Sequence, residues 1–235
     1  MRARTEDGLR ERLARVRAEI DRALERSGRG AQAVRILVAS KYYEPAQVST
    51  LAEAGVELLG ENAAQDLVRK QELFGDRFEW HFIGHLQRRK AKLVVPRVSL
   101  IHSVDSVRLI WELAKRAPEE GAVEILLQVN VSGEDSKYGV SEEGVQTLLE
   151  AAAATEGRVS PRGFMTIAPL VEDPEEVRYV FAKLRVIRDR LRQTSSPHFD
   201  LPELSMGMSS DYAVAVEEGA TLVRIGRVLL EEDGP

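Results

Sequence analysis

A lysine stands at the end of an apolar stretch near the start of the sequence. The stretch "RILVASKYYEP" covers residues 35–45, and its β-branched first half is typical of a buried strand that ends at Lys41. An amine that is partly withdrawn from water can attack a carbonyl group at neutral pH, which predicts a Schiff-base lysine. The alternative is a solvated lysine whose aliphatic stem lies along the strand end.

Two glycine-containing turns follow the last two strand candidates. The segment "SMGMSSD" offers Gly207 for close backbone approach and Ser209 as a hydroxyl at a helix start, and "TLVRIG" ends in Gly226. Such turns often bind phosphate through N–H groups and hydroxyls, although Ser209 and Ser210 could also simply cap the next helix. With Lys41 across the mouth, the turns suit a ligand with an aldehyde at one end and a phosphate at the other. Pyridoxal 5′-phosphate has this layout.

Arg224 lies two residues before Gly226, so we expect its side chain to point into the same mouth. One interpretation is a buried ion pair with Glu61 or Asp211. The other places the guanidinium against the pyridine nitrogen of the cofactor. Because a guanidinium keeps its proton, the ring nitrogen would then stay unprotonated, and strong carbanion chemistry is disfavoured.

A regular alternation of strand and helix patterns must position these residues. Strand candidates lie at 35–40, 56–60, 80–84, 99–103, 123–130, 162–167, 203–207 and 221–225. Helical patterns lie between them at 45–54, 62–74, 86–95, 106–117, 141–155, 174–193 and 210–218. Eight strands separated by helices predict an α/β protein with a single (β/α)8 TIM barrel, whose chemistry sits at the C-terminal strand ends. A doubly wound open sheet is the runner-up, but "ASKYYEPAQ" contains no glycine-rich dinucleotide fingerprint.

The first 30 residues form a separate pattern. They are rich in interspersed Arg and Glu, which indicates an amphipathic surface helix that stops near Gly28. No Pro/Gly/Ser linker divides the rest of the chain. We therefore expect one domain, with residues 1–30 forming a helix packed on a barrel of residues 31–235.

Composition excludes several classes of protein. The chain has 235 residues, a net charge of −5 and no cysteine, so it has no overall positive field for nucleic acid or an anionic membrane, and no thiol chemistry. It shows neither a signal-peptide pattern nor a membrane-length apolar run. His81 and His85 have the spacing of a metal pair on a helix, but this run reads as a strand leaving into a loop, so no metal is predicted. We expect a cytoplasmic protein, monomeric or weakly dimeric, that binds neither nucleic acid nor membranes.

Several segments carry a resemblance to a known family, and they occur in family order at family spacing. They are "VASKYYEP", "LLGENAAQ", "WHFIGHLQRRK", "IHSVDS", "LLQVNVSGEDSKYGV", "RGFMTIAP" and "LSMGMSSDYAVAVEEGATLVRIG". From about residue 8 to the last strand, the chain resembles the YggS/PROSC (PLPBP) family of pyridoxal phosphate homeostasis proteins. That family is similar to the N-terminal barrel of alanine racemase and of other fold-type III pyridoxal phosphate enzymes.

The resemblance implies a set of cofactor-binding residues. These are Lys41, Asn62, His81, Met165, Ser209, Arg224, Gly226 and Arg227. Lys41 is implied as the Schiff-base lysine, Asn62 lies beside the ring, and Arg224 faces the pyridine nitrogen. Ser209 and the backbone after the last strand hold the phosphate, while His81 and Met165 line the pocket.

Two departures from the family pattern concern the end of the chain. The family usually has Thr or Ser where this chain has Arg227, so a hydroxyl is lost near the phosphate, although the guanidinium could replace it by a charge-assisted bond. The helix after the last strand is nearly absent. We expect either the N-terminal helix or a partner to close the barrel there.

Three functions remain open at this point. The resemblance implies a binding protein without strong catalytic activity, which holds pyridoxal phosphate on Lys41 and buffers it or delivers it to apo-enzymes. The alternative is an amino-acid racemase, which needs a second acid/base such as Tyr138 or Tyr212 opposite the lysine. A third reading is a barrel enzyme that acts on a phosphorylated metabolite without a cofactor. Lys137 could provide a second amine at the rim, but a solvated loop lysine is the simpler interpretation.

Overall fold

The eight strands of the chain close into one parallel barrel in the order β1 to β8. The computed structural model describes residues 6–30, 34–134, 138–194 and 199–230. The strands are β1 (Arg35–Ala39), β2 (Leu58–Glu61), β3 (Glu79–Phe82), β4 (Leu100–Val104), β5 (Val123–Gln128), β6 (Val159–Met165), β7 (Glu203–Ser205) and β8 (Leu222–Ile225). The predicted (β/α)8 barrel is confirmed, and the open sheet is excluded.

The described residues also form eight α-helices. They are α1 (Glu6–Arg26), α2 (Pro45–Glu53), α3 (Ala64–Phe74), α4 (Ala91–Val94), α5 (Val107–Ala114), α6 (Glu142–Ala153), α7 (Arg178–Thr194) and α8 (Tyr212–Glu217). Short 3-10 turns follow β1 at Ser40–Tyr42 and β8 at Arg227–Leu229. None of these helices is long and apolar enough to cross a membrane.

Two element predictions need correction. The helix expected over 86–95 is mostly replaced by 3-10 turns around the four-residue helix α4, since Pro96 removes a backbone donor there. The sixth strand begins at Val159, three residues before the predicted start, although it contains Pro161. A register shift between β5 and β6 beside Pro161 accommodates the missing N–H group.

Among the described residues, β8 is followed only by the 3-10 turn Arg227–Leu229, and helix α1 lies beside this turn in the outer ring. Its buried residues Leu9, Leu13, Val16 and Ile20 recur every three to four positions, so they form one apolar face. This helix contacts both α8 and α2, and Arg12 Nε on it donates to the carbonyl oxygen of Leu229 at 2.9 Å. The N-terminal helix therefore closes the outer ring between α8 and α2.

The barrel interior has apolar and polar parts. Strand residues that face outward pack with the helices in the main core, whereas Leu37, Leu58 and Leu222 form a separate interior cluster. A second interior cluster consists of Leu100, Leu126 and Met165. The interior also contains buried polar side chains from β3, β4, β7 and β8.

Candidate active-site mouth

Lys41 lies at the C-terminal end of β1, in the 3-10 turn that follows the strand. Its side chain is exposed, and its Nζ lies 4.9 Å from the centroid of the Tyr42 ring. The Tyr42 ring in turn packs against the end of β8, because a Cβ atom on Gly226 would lie only 2.6 Å from Tyr42 Cε2. The amine therefore lies beside the last strand of the barrel, although the expected withdrawal from water is not found.

A buried ion pair supports the turn that carries Lys41. Lys70 Nζ on α3 donates to Glu61 Oε2 and to the carbonyl oxygen of Ser40, both at 2.7 Å. Ser40 Oγ donates to the same carboxylate at 2.6 Å, and the other carboxylate oxygen accepts the backbone N–H of Asn62 at 2.6 Å. Glu61 thus fixes the ends of β1 and β2 relative to each other.

Sequence reasoning missed this ion pair and offered Glu61 only as a partner for Arg224. The signal was present, since Lys70 shares the buried face of α3 with Ala64 and Leu67. A lysine at helical spacing on an apolar face needs a buried counter-charge. The nearest upstream carboxylate at a strand end is Glu61.

Asn62 follows directly at the end of β2. Its Oδ1 is buried and has no hydrogen-bond partner in the part of the chain that the structure describes. The end of β3 approaches it closely, because a Cβ atom on Gly84 would lie 2.0 Å from the Asn62 carbonyl oxygen. A buried amide oxygen without a partner is costly, so it marks a position where a bound ligand could supply a hydrogen bond.

The turns after β7 and β8 are joined through Ser209. Its Oγ accepts the backbone N–H groups of Gly226 at 3.2 Å and Val228 at 3.3 Å. Asp211, not a serine, precedes α8, and its Oδ1 accepts the N–H of Met208 at 2.5 Å. Ser209 Oγ therefore accepts two backbone N–H groups of the final turn. These are not the contacts of a residue that only caps the start of the next helix.

Val228 is a further residue that sequence reasoning did not single out. Its contribution is a backbone amide, which no side-chain pattern reveals. Arg227 lies between the two amide donors, and its side chain is exposed.

Arg224 lies in the barrel interior directly below these turns, and it is buried. Its guanidinium donates to the carbonyl oxygen and the hydroxyl of Ser205 at 2.7 and 2.8 Å, and to the carbonyl oxygen of Thr166 at 2.8 Å. Burial lowers the pKa of Arg224 to about 10, and the negative charge of Asp211 opposes that shift. The hydrogen bonds go to β7 and the end of β6, so the interpretation as an ion pair with Glu61 or Asp211 is wrong for the described contacts.

A polar chain runs from Arg224 across the interior. Ser205 Oγ lies 3.0 Å from His102 Nδ1, His102 Nε2 lies 2.9 Å from His81 Nδ1, and His81 Nε2 lies 2.8 Å from Glu79 Oε1. We assign the protons from this geometry. With both imidazoles neutral, the Arg224 guanidinium donates to the Ser205 hydroxyl, which donates to His102. His102 then donates to His81, and His81 donates to the Glu79 carboxylate.

The charges along this chain follow from burial. Burial lowers the pKa of both histidines, and for His102 the positive charge of Arg224 acts in the same direction, as would that of a protonated His81. The hydrogen bond from His81 lowers the pKa of Glu79 to about 2, with further bonds from Arg35 and Ser99. The interior therefore keeps two neutral imidazoles between a cation and an anion.

The remaining predicted positions fall at different depths. Both ring nitrogens of His81 are engaged in the polar chain, and Met165 at the end of β6 packs with Leu100 and Leu126. Direct contact of either residue with a cofactor stays a prediction. Lys137 lies outside the described residues.

The two tyrosines considered as acid/base groups occupy different surroundings. Tyr138 is 62% exposed and stacks on His85 with ring centroids 4.5 Å apart. Tyr212 is half-buried, burial raises its pKa, and the charges that act on it come from Glu19 and Arg22 of α1. Tyr212 therefore lies against the N-terminal helix, whereas Tyr138 lies on the surface of the β5–α6 loop.

The family described as alanine racemase, N-terminal domain, matches residues 12–232. A pyridoxal phosphate homeostasis protein of Aquifex aeolicus is 44% identical over 94% of this chain and 97% of its own length. The corresponding protein of Escherichia coli is 35% identical over 92% of this chain and 93% of its own.

Solved structures give the same picture. PipY of Synechococcus elongatus, solved with pyridoxal phosphate bound, has a TM-score of 0.81 and 32% identity, covering 95% of this chain and 100% of its own. Alanine racemase of Corynebacterium glutamicum shares only the fold, with 11% identity and a TM-score of 0.68 over 62% of its chain. The chain therefore belongs to the alanine racemase N-terminal domain family and, within it, to the pyridoxal phosphate homeostasis proteins.

Proposed function

We propose that the protein binds pyridoxal 5′-phosphate at the mouth of the barrel and serves cofactor homeostasis, with Lys41 as the residue that holds the cofactor through a reversible Schiff base. The observation that carries the proposal is the convergence of two strand ends. The Lys41 amine lies over Tyr42, which packs on Gly226, and the Gly226 amide points at Ser209 Oγ. An amine and the turn to which we assign the phosphate thus lie at one place.

The residues present fit the chemistry of the cofactor. Its phosphate suits the backbone amides of Gly226 and Val228 together with the Ser209 hydroxyl, since N–H groups at a turn bind anions well. Asn62 has a buried amide oxygen without a described partner, and its amide would bond the ring hydroxyl. When bound, the cofactor supplies an aldehyde that an amine captures reversibly.

Arg224 would face the ring nitrogen, with His81 and Met165 below it. With a pKa of about 10, the guanidinium stays a cation and hydrogen-bond donor near neutral pH. Its contacts to Ser205 and Thr166 fix its orientation, and Ser205 is held in turn by the neutral imidazole of His102. Such a donor leaves the ring nitrogen unprotonated, which disfavours strong carbanion chemistry.

A carrier agrees better with the mouth than a racemase does. Of the two tyrosines considered, Tyr212 is on α8, which packs against α1, and Tyr138 is stacked on His85 at the surface. An exposed Lys41 also remains accessible to the amines with which a reversible Schiff base exchanges. We further propose that the protein acts in the cytoplasm, as a monomer or weak dimer, and delivers its cofactor to apo-enzymes.

The first experiment tests cofactor binding itself. Titration of the cofactor-free protein with pyridoxal phosphate should give the visible absorbance of a Schiff base and saturate at one equivalent per chain. The absence of this band, with tight binding of a phosphorylated metabolite instead, would favour the barrel enzyme that needs no cofactor.

A second experiment separates carrier from enzyme. The cofactor-loaded protein is incubated with L-alanine and other amino acids in deuterated water, and the Cα hydrogen is followed by NMR. We expect exchange no faster than that with free pyridoxal phosphate. Exchange at enzymatic turnover that is abolished in Tyr138→Phe would favour a racemase.

A further inference from the structure

A cavity lies at the end of the barrel opposite the mouth, next to the N-terminal ends of β7 and β8. Its volume is about 380 Å³, and four of its lining residues are arginines: Arg29, Arg185, Arg188 and Arg192. The rest of the described lining is Pro202, Gly219 and Thr221, so it contains no carboxylate. Nothing in the proposed function uses this cavity.

Helix α7 and the end of α1 bring the four guanidinium groups together. Arg185, Arg188 and Arg192 recur every three to four residues on α7, which places them on one face of the helix. Arg29 follows α1 and reaches under α8, where it donates to the carbonyl oxygens of Val216 and Ala220. Two elements that are far apart in sequence therefore contribute to one concave surface.

The described carboxylates compensate these charges only in part. Glu218 is shared between Arg178 and Arg185, while Asp189 binds Arg188 and Asp200 binds Arg192. These contacts engage one nitrogen each of Arg185 and Arg192, and two of Arg188. A guanidinium carries five N–H donors, so several donors remain for a ligand in this cavity.

The arginines also repel one another. Burial lowers the pKa of Arg29, and the positive charges of Arg188 and Arg185 lower it further. An anion in the cavity would offset that repulsion. Because the chain as a whole carries a net charge of −5, a concave cluster of arginines contrasts with the rest of the surface.

We infer that this arginine cavity binds a small phosphate-type anion, either an inorganic diphosphate or the diphosphate group of a nucleotide. Planar guanidinium groups bind phosphate oxygens in pairs, which gives both affinity and orientation. A concave site of this size suits a compact anion better than a nucleic-acid strand, which needs an extended basic surface. The site is separate from the mouth, since it lies at the other end of the strands.

The test measures pyrophosphate and ADP binding by calorimetry at constant ionic strength. The protein is first saturated with pyridoxal phosphate, so that the mouth is occupied. The double variant Arg185→Gln/Arg188→Gln should lose about tenfold or more in affinity, since each lost charge-assisted bond is worth about that factor. Arg190→Gln is the matched control, because Arg190 lies on α7 but pairs with Glu142 outside the cavity. It should bind as the unchanged protein does.

A comparison of the two anions identifies which part of the ligand is bound. Equal affinity for both anions would identify the diphosphate group as the ligand, and tighter binding of ADP would identify a nucleotide. The side chain of Asp200, the partner of Arg192, is 69% exposed, so Arg192→Gln should not disturb the fold. This single variant tests the cavity if the double variant does not fold. Three results would overturn the inference: no binding at millimolar concentration, an equal loss in Arg190→Gln, or tighter binding of a short RNA. The same titrations on cofactor-free Ser209→Ala protein keep the inference independent of the proposed function.

Discussion

On the β1–β2 side of the mouth, an exposed lysine stands above a buried ion pair, whereas on the β7–β8 side a buried arginine stands below a turn of backbone amides. The first side exposes its reactive group and buries the charges that support it. The second side buries its cation, and the turn above it contains a half-buried hydroxyl that accepts two backbone N–H groups. The difference suits a ligand that is released from an amine at one end and anchored by its phosphate at the other.

The largest expected effect concerns the ion pair beneath Lys41. Glu61→Gln leaves the Lys70 ammonium buried without a counter-charge, so unfolding in urea should show a loss of about 3–5 kcal/mol. Glu142→Gln removes a partly exposed carboxylate from two surface ion pairs and should cost no more than about 1 kcal/mol. Equal losses in the two variants would mean that the β1–β2 side does not depend on the buried pair.

The polar chain behind Arg224 predicts a pH dependence on the other side. Because the folded state lowers the pKa of His102 below its ordinary value of 6.5, the unfolded chain takes up protons that the fold excludes. The contribution of His102 to stability is therefore complete above pH 6.5 and is lost as the pH falls below it, by up to about 1.4 kcal/mol per pH unit.

Urea unfolding at several pH values between 7 and 5 measures this slope. His102→Gln should reduce it, and replacement of the exposed His85 by Gln should leave it unchanged. Because the pKa of His81 is also lowered, part of the slope should remain, but an undiminished slope in His102→Gln would show that other groups carry the acid sensitivity. Glu79 acts in a lower window, because its pKa of about 2 makes its contribution decline only below its ordinary value of 4.5.

Ser209 and Ser210 offer a comparison within one turn. Ser209→Ala removes the hydroxyl that gathers the amides of Gly226 and Val228, and pyridoxal phosphate binding should weaken about tenfold. Ser210 is exposed, so Ser210→Ala should bind as before in the same absorbance titration. A loss of affinity in both variants, or in neither, would remove Ser209 from the phosphate anchor.

The smallest expected effect is at Arg227. Arg227→Thr restores the hydroxyl that the family resemblance leads us to expect, and we expect the cofactor to bind about twofold to fivefold more tightly. Fluorescence or absorbance titration measures the change. Substantially weaker binding would mean that the guanidinium itself holds the phosphate.

The sequence predicts the strand ends well, because parallel strands alternating with helices leave few topologies and send their C-terminal ends to one face. Lys41, Asn62, Ser209, Arg224 and Gly226 could therefore be named from the sequence. The amide of Val228 could not, since its role depends on the path of the backbone. The sequence shows that His81 and His102 alternate with apolar residues in their strands. It does not show that the two rings contact each other, because that depends on the register of β3 and β4.

The region opposite the mouth was harder to predict. The sequence analysis did not single out the three arginines on α7, and Arg29 lies 156 positions before Arg185 in the chain. Only the packing of the end of α1 beneath α8 brings Arg29 to that face. Barrel topology does not determine the contacts of a terminal helix. The arginine cavity could therefore not be predicted from the sequence.

Lys41 is the proposed attachment point of the cofactor. Borohydride reduction of the protein loaded with pyridoxal phosphate, followed by peptide mass spectrometry, locates the amine that forms the Schiff base. We predict one added pyridoxyl phosphate on the peptide that contains Lys41, and its loss in Lys41→Ala protein that unfolds at the same urea concentration. Attachment to another lysine, or equal labelling in Lys41→Ala, would contradict the account.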